Sequence, residues 1–391
     1  MLSCGAVKGM VNRIASAALV IALVFPALSY PKDKTMGKKL DALFASVTSP
    51  EAPGLAVLVK QNGKVLFERG YGLRDLRSKA AIDAATNFRL ASLTKQFTAM
   101  AVMLLVRDGK LTYDKTLAEI FPEFPAYGKQ ITVRNLLNHT SGLPDYEDLM
   151  AAEEKAKGAN LWSPEKQIHD EEVLALLEKT TAPKFPAGTK WEYSNSGYVV
   201  LGLIVARVSG TPFGEFLRQR IFSPLEMNHT LVFVKGENEI TNRAYGHSRR
   251  NGHFVEADQS ATSATQGDGG VYSNLEDLSK WDDALRNHTL LSNAEFQAAL
   301  APPQLPAGAE ARLAEDAPES MRGRSLAYGF GWFLDLQSPH PLMWHYGDTM
   351  GFKTAIQRYT RDGLTVIILC NRTDLDPSAL ALRTADLFLK N

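Results

Sequence analysis

Hydrophobic and polar positions change rhythm twice along this chain. Residues 55–60 and 65–72 are short apolar runs that read as strands. The Asn62-Gly63 pair between them is a strong two-residue hairpin signal, because both positions of such a turn need positive φ. An amphipathic helix over residues 38–47 precedes them, ended by Pro53-Gly54. In residues 93–106 only Lys95 and Gln96 interrupt a run of Leu, Ala, Met, Val, Phe and Thr. Apolar residues on nearly every face predict a buried helix. Arg107-Asp108-Gly109 supplies its basic last turn and a Gly at its C-terminal end.

From residue 111 to 320 helical periodicity prevails. It is clearest at 133–137, 171–177, 198–208 and 213–221, where Ser209-Gly210 closes one helix and Pro212 opens the next. Ser273-Asn274-Leu275-Glu276 reads as a capping box for a helix through Trp281 and Leu285. Residues 301–320, rich in Ala, Pro and Glu, read as a surface loop. Beyond residue 326 the strand rhythm returns at 328–336, 342–346, 353–359 and 364–370, with Arg361-Asp362-Gly363 turning between the last two. Residues 378–389 form a closing amphipathic helix. Strands joined by hairpins pair antiparallel. The pattern therefore predicts an α/β fold: a mainly antiparallel sheet flanked by helices, built from both chain ends (residues 30–110 and 321–391), with a mostly helical domain (residues 111–320) inserted.

Composition narrows the partners. Of 391 residues, 45% are hydrophobic and 22% charged, with 43 basic and 43 acidic side chains. No global basic field exists, which argues against a nucleic-acid partner. The N-terminus has Lys8 and Arg13, an uncharged and mostly apolar run over 14–24, and a small-x-small Ala27-Leu28-Ser29. This reads as a signal peptide of residues 1–29, with an uncleaved anchor as the alternative, although the apolar run is shorter than the roughly 20 residues of a membrane span. The expectation is an exported protein, periplasmic or secreted, with no membrane span after cleavage. Cys370 would then be the one remaining cysteine, a small buried hydrophobe in an apolar strand.

Three segments carry candidate chemistry. Ser92-Leu93-Thr94-Lys95 opens the buried helix. Residues three apart share a helix face, the helix start favours negative charge, and burial disfavours a charged Lys95, so the lysine can take a proton from the serine. Tyr193 and Asn195 precede another apolar helix. A tyrosine there can shuttle protons if nearby cations lower its pKa, and the asparagine offers a donor and an acceptor to a substrate amide. His345-Tyr346-Gly347, followed by Asp348, lies on a late strand, where Gly347 admits close approach to the backbone.

The order Ser-x-x-Lys, Tyr-x-Asn, His-x-Gly resembles the penicillin-recognising serine hydrolases, in particular the class C β-lactamase and D-Ala-D-Ala carboxypeptidase branch, over residues 38–389. Segments 131–143, 185–198, 221–227 and 267–270 fit as well. The resemblance implies a β-lactamase/transpeptidase-like fold, an acyl-enzyme on Ser92, and proton exchange by Lys95 and Tyr193. It also implies a substrate amide held by Asn195, an oxyanion hole from the N–H groups of Ser92 and Asp348, and a requirement for neither metal nor cofactor. The substrate would be a small molecule or peptide: a D-amino-acid peptide, a β-lactam or a small ester. A slowly deacylating penicillin-binding or sensor protein is the alternative, and a catalytically silent interaction module is a third reading.

One departure bears on substrate. Where β-lactamases and many peptidases of this kind carry Lys-Thr-Gly, this chain has His345-Tyr346-Gly347. A histidine, only partly charged near neutral pH, replaces a fixed cation for a substrate carboxylate, and Asp348 adds negative charge nearby. Strong β-lactam hydrolysis is therefore not expected. Competing chemistries lack their motifs: there is no His-Glu-x-x-His, no phosphate loop and no Gly-x-Ser-x-Gly elbow.

Overall fold

A computed structural model describes residues 1–3, 5, 34–307, 313, 317–322 and 327–389; nearly all of the expected signal segment lies outside them. Seven strands form the central sheet: β1 (Leu55–Gln61), β2 (Lys64–Tyr71), β3 (Ala327–Tyr328), β4 (Phe333–Asp335), β5 (Leu342–Thr349), β6 (Phe352–Tyr359) and β7 (Leu364–Cys370). They lie in the order β3-β4-β5-β6-β7-β1-β2, every neighbour antiparallel. The Asn62-Gly63 turn has the two positive φ values its sequence calls for, 51° and 77°. Leu55 faces Cys370 and Gln61 faces Leu364, so the first strand is zipped to the last.

β1 and β7 are apolar without alternation because both sheet faces are covered. On one face Leu55, Val57, Trp344 and Ile368 pack with α1 (Lys34–Ala45) and α7 (Pro377–Ala385). On the other, Ala56, Leu58, Met343 and Ile367 join a larger cluster around α2 (Lys95–Arg107), which is buried from Lys95 to Leu105. α2 packs against α5 (Asn195–Ser209), and α3 (Tyr146–Lys157), α4 (Asp170–Glu178) and α6 (Leu275–Asn287) complete the surround. Cys370 is fully buried, and burial pushes its thiol up to about 12, so it stays a protonated hydrophobe. No single helix among the described residues is long and apolar enough to cross a membrane. The apolar pair α5 plus Phe213–Phe222 is bent by 76° and packs into the core.

Several elements differ from the sequence reading. The strand expected over 328–336 is two short strands, β3 and β4, turned at Gly331 (φ 77°). A Cβ there would lie 2.7 Å from the Lys95 carbonyl oxygen, so this glycine lets the turn sit on the start of α2. The capping box is shifted: Ser273 belongs to a strand, and Asn274 caps α6 by accepting from the Asp277 N–H. The 213–221 helix ends at Leu217 and widens into a π turn over Arg218–Phe222. The 301–320 stretch is mostly exposed at 301–307 but docks at Ala317, which is 1% exposed. α3 escaped the sequence reading because only Tyr146 and Met150 are buried on it. It is delimited instead by its Asp145 cap and by left-handed Gly158.

Candidate active site

Ser92 occupies a short 3-10 turn, Ala91–Thr94, ahead of α2. Ala91 has φ 50°, an uncommon conformation for a residue with a side chain. The turn is held by backbone packing: a Cβ on Gly347 would lie 2.4 Å from the Leu90 carbonyl oxygen and 3.0 Å from the Ala91 Cβ. Glycine at 347 therefore brings β5 against the serine turn. β4 pairs with β5 only as far as Trp344, so beyond that residue β5 presents an edge that β4 does not cover.

Lys95 is fully buried behind a partly exposed Ser92. Its Nζ donates to Ser92 Oγ (3.1 Å), Asn195 Oδ1 (2.8 Å) and the Asp268 carbonyl oxygen (3.0 Å). Three donors meet three neutral acceptors, and no ion pair offsets the loss of water. Burial lowers its pKa to about 8, against a smaller opposing pull from the Asp268 and Asp145 carboxylates. On losing a proton, the amine keeps two hydrogens for Asn195 and Asp268 and turns its lone pair on the Ser92 hydroxyl.

The acceptors are positioned by the middle of the chain. Ser194 caps α5 by accepting from the Gly197 N–H, which leaves Asn195 as the first helical residue, its oxygen on Lys95 and its amide N–H groups available to a substrate. Residues 267–271 are fastened along α2: Thr98 Oγ1 donates to the Gly267 carbonyl (2.6 Å), Lys95 to that of Asp268, and Thr94 Oγ1 accepts from the Val271 N–H (3.1 Å).

The Tyr193 ring lies 4.8 Å from Lys95 Nζ. Its phenol is held well above the usual tyrosine range, chiefly by burial, while a hydrogen-bonding contact with Ser92 offsets part of the shift. Cations do not lower it, contrary to the expectation from sequence: the Tyr193 phenol stays protonated, and Lys95 is the group whose pKa is lowered.

His345 also departs from expectation. It is 1% exposed, packed among Tyr328, Phe333 and Tyr193. Its Nδ1 donates to the Tyr346 carbonyl (2.7 Å), so Nε2 is bare and accepts from Tyr328 Oη (3.0 Å). Burial first, then repulsion from Lys95, lowers its pKa to about 3, so the ring is neutral rather than partly charged at physiological pH. It therefore supplies no cation for a carboxylate; its contribution is to fix β5. Asp348 lies at the cleft, side chain 47% exposed, with its carboxylate 3.3 Å from Lys353 Nζ.

The cleft over Ser92 measures about 60 Å³ and is lined by Glu147, Asn195, Asp268 and Asp348 among others. Burial raises the Glu147 carboxyl, and the charges of Asp145, Asp268 and Asp148 raise it further, so this rim is crowded with negative charge. Arg89, which also lines the cleft, is buried and donates to Ser263. The sequence assigns no role to Asp268, Glu147 or His139. His139 and Asp268 lie in segments 131–143 and 267–270, which fit the resemblance without assigning either residue a role, and nothing local marks Glu147.

Solved structures share this architecture. The penicillin binding protein of Bacillus halodurans is 25% identical with a TM-score of 0.72, covering 89% of this chain and 99% of that one. The D-amino acid amidase of Ochrobactrum anthropi SV3 is 25% identical with a TM-score of 0.67, covering 90% and 97%. The family model described as Beta-lactamase matches residues 40–390, and the chain belongs to that family. It is a serine hydrolase of the β-lactamase-related kind. Among curated proteins it is 30% identical over 354 residues to penicillin-binding protein 4* of Bacillus subtilis strain 168, which spans 86% of this chain and 72% of that protein.

Proposed function

We propose that the protein is an exported hydrolase that cleaves the amide or ester of a small D-amino-acid derivative or D-peptide, through an acyl-enzyme on Ser92. The observation that carries the reading is the buried Lys95 bonded to Ser92 Oγ with only neutral acceptors around it. Ser92 Oγ attacks the carbonyl carbon and its proton passes to neutral Lys95. The N–H groups of Ser92 and Asp348 stabilise the oxyanion, and the Tyr193 phenol protonates the leaving amine or alcohol as the bond to carbon breaks. Lys95 returns a proton to Tyr193, and water then attacks the acyl ester by the same route in reverse.

The rim favours neutral or amine-bearing substrates over carboxylates: His345 is uncharged, and Glu147, Asp268 and Asp348 line the opening. The likeness to a D-amino acid amidase supports the same substrate class. Export rests on the signal-like residues 1–29. The test is intact mass after fluorophosphonate treatment of wild type and Ser92→Ala, followed by turnover of a D-amino acid amide, a small ester and a penicillin. One adduct on wild type alone, with amide or ester turnover, supports the reading. A lasting penicillin adduct without turnover of any substrate replaces it with a penicillin-binding role.

A further inference from the structure

We infer that His139 is a positioning residue that sets Tyr193 and Asn195 in register for the chemistry at Ser92; the inference rests on the acyl-transfer reading above. His139 is fully buried and lies outside the reacting groups. It grips the Tyr193 segment on both sides. Its carbonyl oxygen accepts from the Glu192 N–H at 3.0 Å, and its ring Nδ1 accepts from the Ser194 N–H at 3.1 Å. Tyr193 lies between these two points, its ring 4.4 Å from the imidazole. The same loop binds the approach to this segment, with the Thr140 carbonyl accepting from the Gly188 N–H and that of Gly142 from the Lys184 N–H. Ser194, held by the histidine ring, also caps α5, so the clamp reaches Asn195 directly.

Three properties of the residue fit the position, the Nδ1 acceptor above all. First, the backbone at 139 has φ 61°, a left-handed conformation that histidine and asparagine tolerate better than aliphatic residues. Second, accepting at Nδ1 places the ring proton on Nε2, which has no hydrogen-bond partner and lies among the rings of Tyr193, Tyr198 and Tyr328. A charged ring would carry a hydrogen on Nδ1 and lose the Ser194 bond. Burial, with Lys95 adding repulsion, keeps the imidazole neutral. Third, the ring packs against that of Tyr193, tilted by 38°. Asparagine keeps the first property and places its Oδ1 where Nδ1 stands; leucine keeps volume alone.

The test compares wild type, His139→Leu and His139→Asn by fluorophosphonate titration of Ser92 and by kcat and KM on a D-amino acid amide. His139→Leu is expected to lower kcat and the labelling rate per titratable serine about 10- to 100-fold with KM little changed, since sub-ångström misplacement of catalytic groups is that costly. His139→Asn is expected to recover most of that loss. A merely structural role would lower the melting temperature and the titratable fraction while leaving the rate per titrated site intact. A wild-type rate in folded His139→Leu overturns the inference, as does His139→Asn failing as badly as His139→Leu. Should His139→Leu give no folded protein, His139→Asn decides alone by its rate per titrated serine. Failure of wild type itself to label at Ser92 would instead remove the acyl-transfer reading.

Discussion

Two lysines of this protein are equally hidden and differ in everything else. Lys60, on β1, is 1% exposed and meets carboxylates: Asp283 at 2.8 Å and Asp282 at 3.5 Å, with the Ser279 carbonyl at 2.7 Å. Asp282 in turn binds Arg358 and Thr365. Lys95, 0% exposed, meets a hydroxyl, an amide oxygen and a backbone carbonyl. Desolvation costs both their hydration. At Lys60 opposite charges return much of it; at Lys95 neutral acceptors do not, and burial lowers the pKa of the amine. What separates a structural lysine from the base proposed here is thus the charge of its acceptors rather than its depth.

The largest effect expected from breaking this contrast is at the nucleophile: Ser92→Ala should abolish turnover and labelling while the circular dichroism spectrum stays that of wild type. Activity above a trace in that variant would dissolve the contrast. Next, Lys95→Met should lower kcat by about 100- to 10,000-fold, the range for losing a general base, whereas Lys60→Met should leave kcat per folded molecule unchanged. Tyr193→Phe should cost about a hundredfold or more in kcat, as expected for a proton donor, and a loss below tenfold would take the phenol out of the mechanism.

The pH dependence sharpens the contrast further. Lys95 acts as its neutral form, so kcat/KM should climb with pH and level off above about 8. At pH 7 roughly a tenth of the enzyme would be competent. A profile flat from pH 6 to 9 would exclude Lys95 as the base. On stability the roles reverse: Lys60→Met should cost on the order of 2 kcal/mol by leaving Asp282 and Asp283 short of a partner, read as a shift in the denaturant midpoint. The smallest effect is at the rim. Asp348→Asn should raise KM for an amine-bearing amide about two- to fivefold with kcat unchanged, the size expected of a half-exposed charge.

How much of this was visible in the chain depended on distance along it. The Ser92–Lys95 pair, the Asn62-Gly63 turn and the runs that became β1, β6 and β7 are local patterns, and local patterns can be read. The protonation states were not local. His345 became neutral because Tyr328 and Phe333 close over it, and Tyr193 was raised by burial in a pocket assembled from distant segments. Asp268 enters the site through its carbonyl as well as its charge, and a backbone atom leaves no mark on residue type. The broken 328–336 strand had its signal in Gly331, whose reason is the contact with α2 and not the strand itself.

The zipping of β1 to β7 sets a schedule for the newly made chain. Ser92 and Lys95 emerge early, yet β5, whose Gly347 abuts the serine turn, and β7, which completes the pairing of β1, are among the last segments synthesised. Contacts so remote in sequence close slowly, after the entropy of a very long loop has been overcome. Ser92 is therefore carried through synthesis without the strands that close around it. On the acyl-transfer reading, the centre is assembled only on completion of the fold, so a chain caught half-made has no assembled site around Ser92.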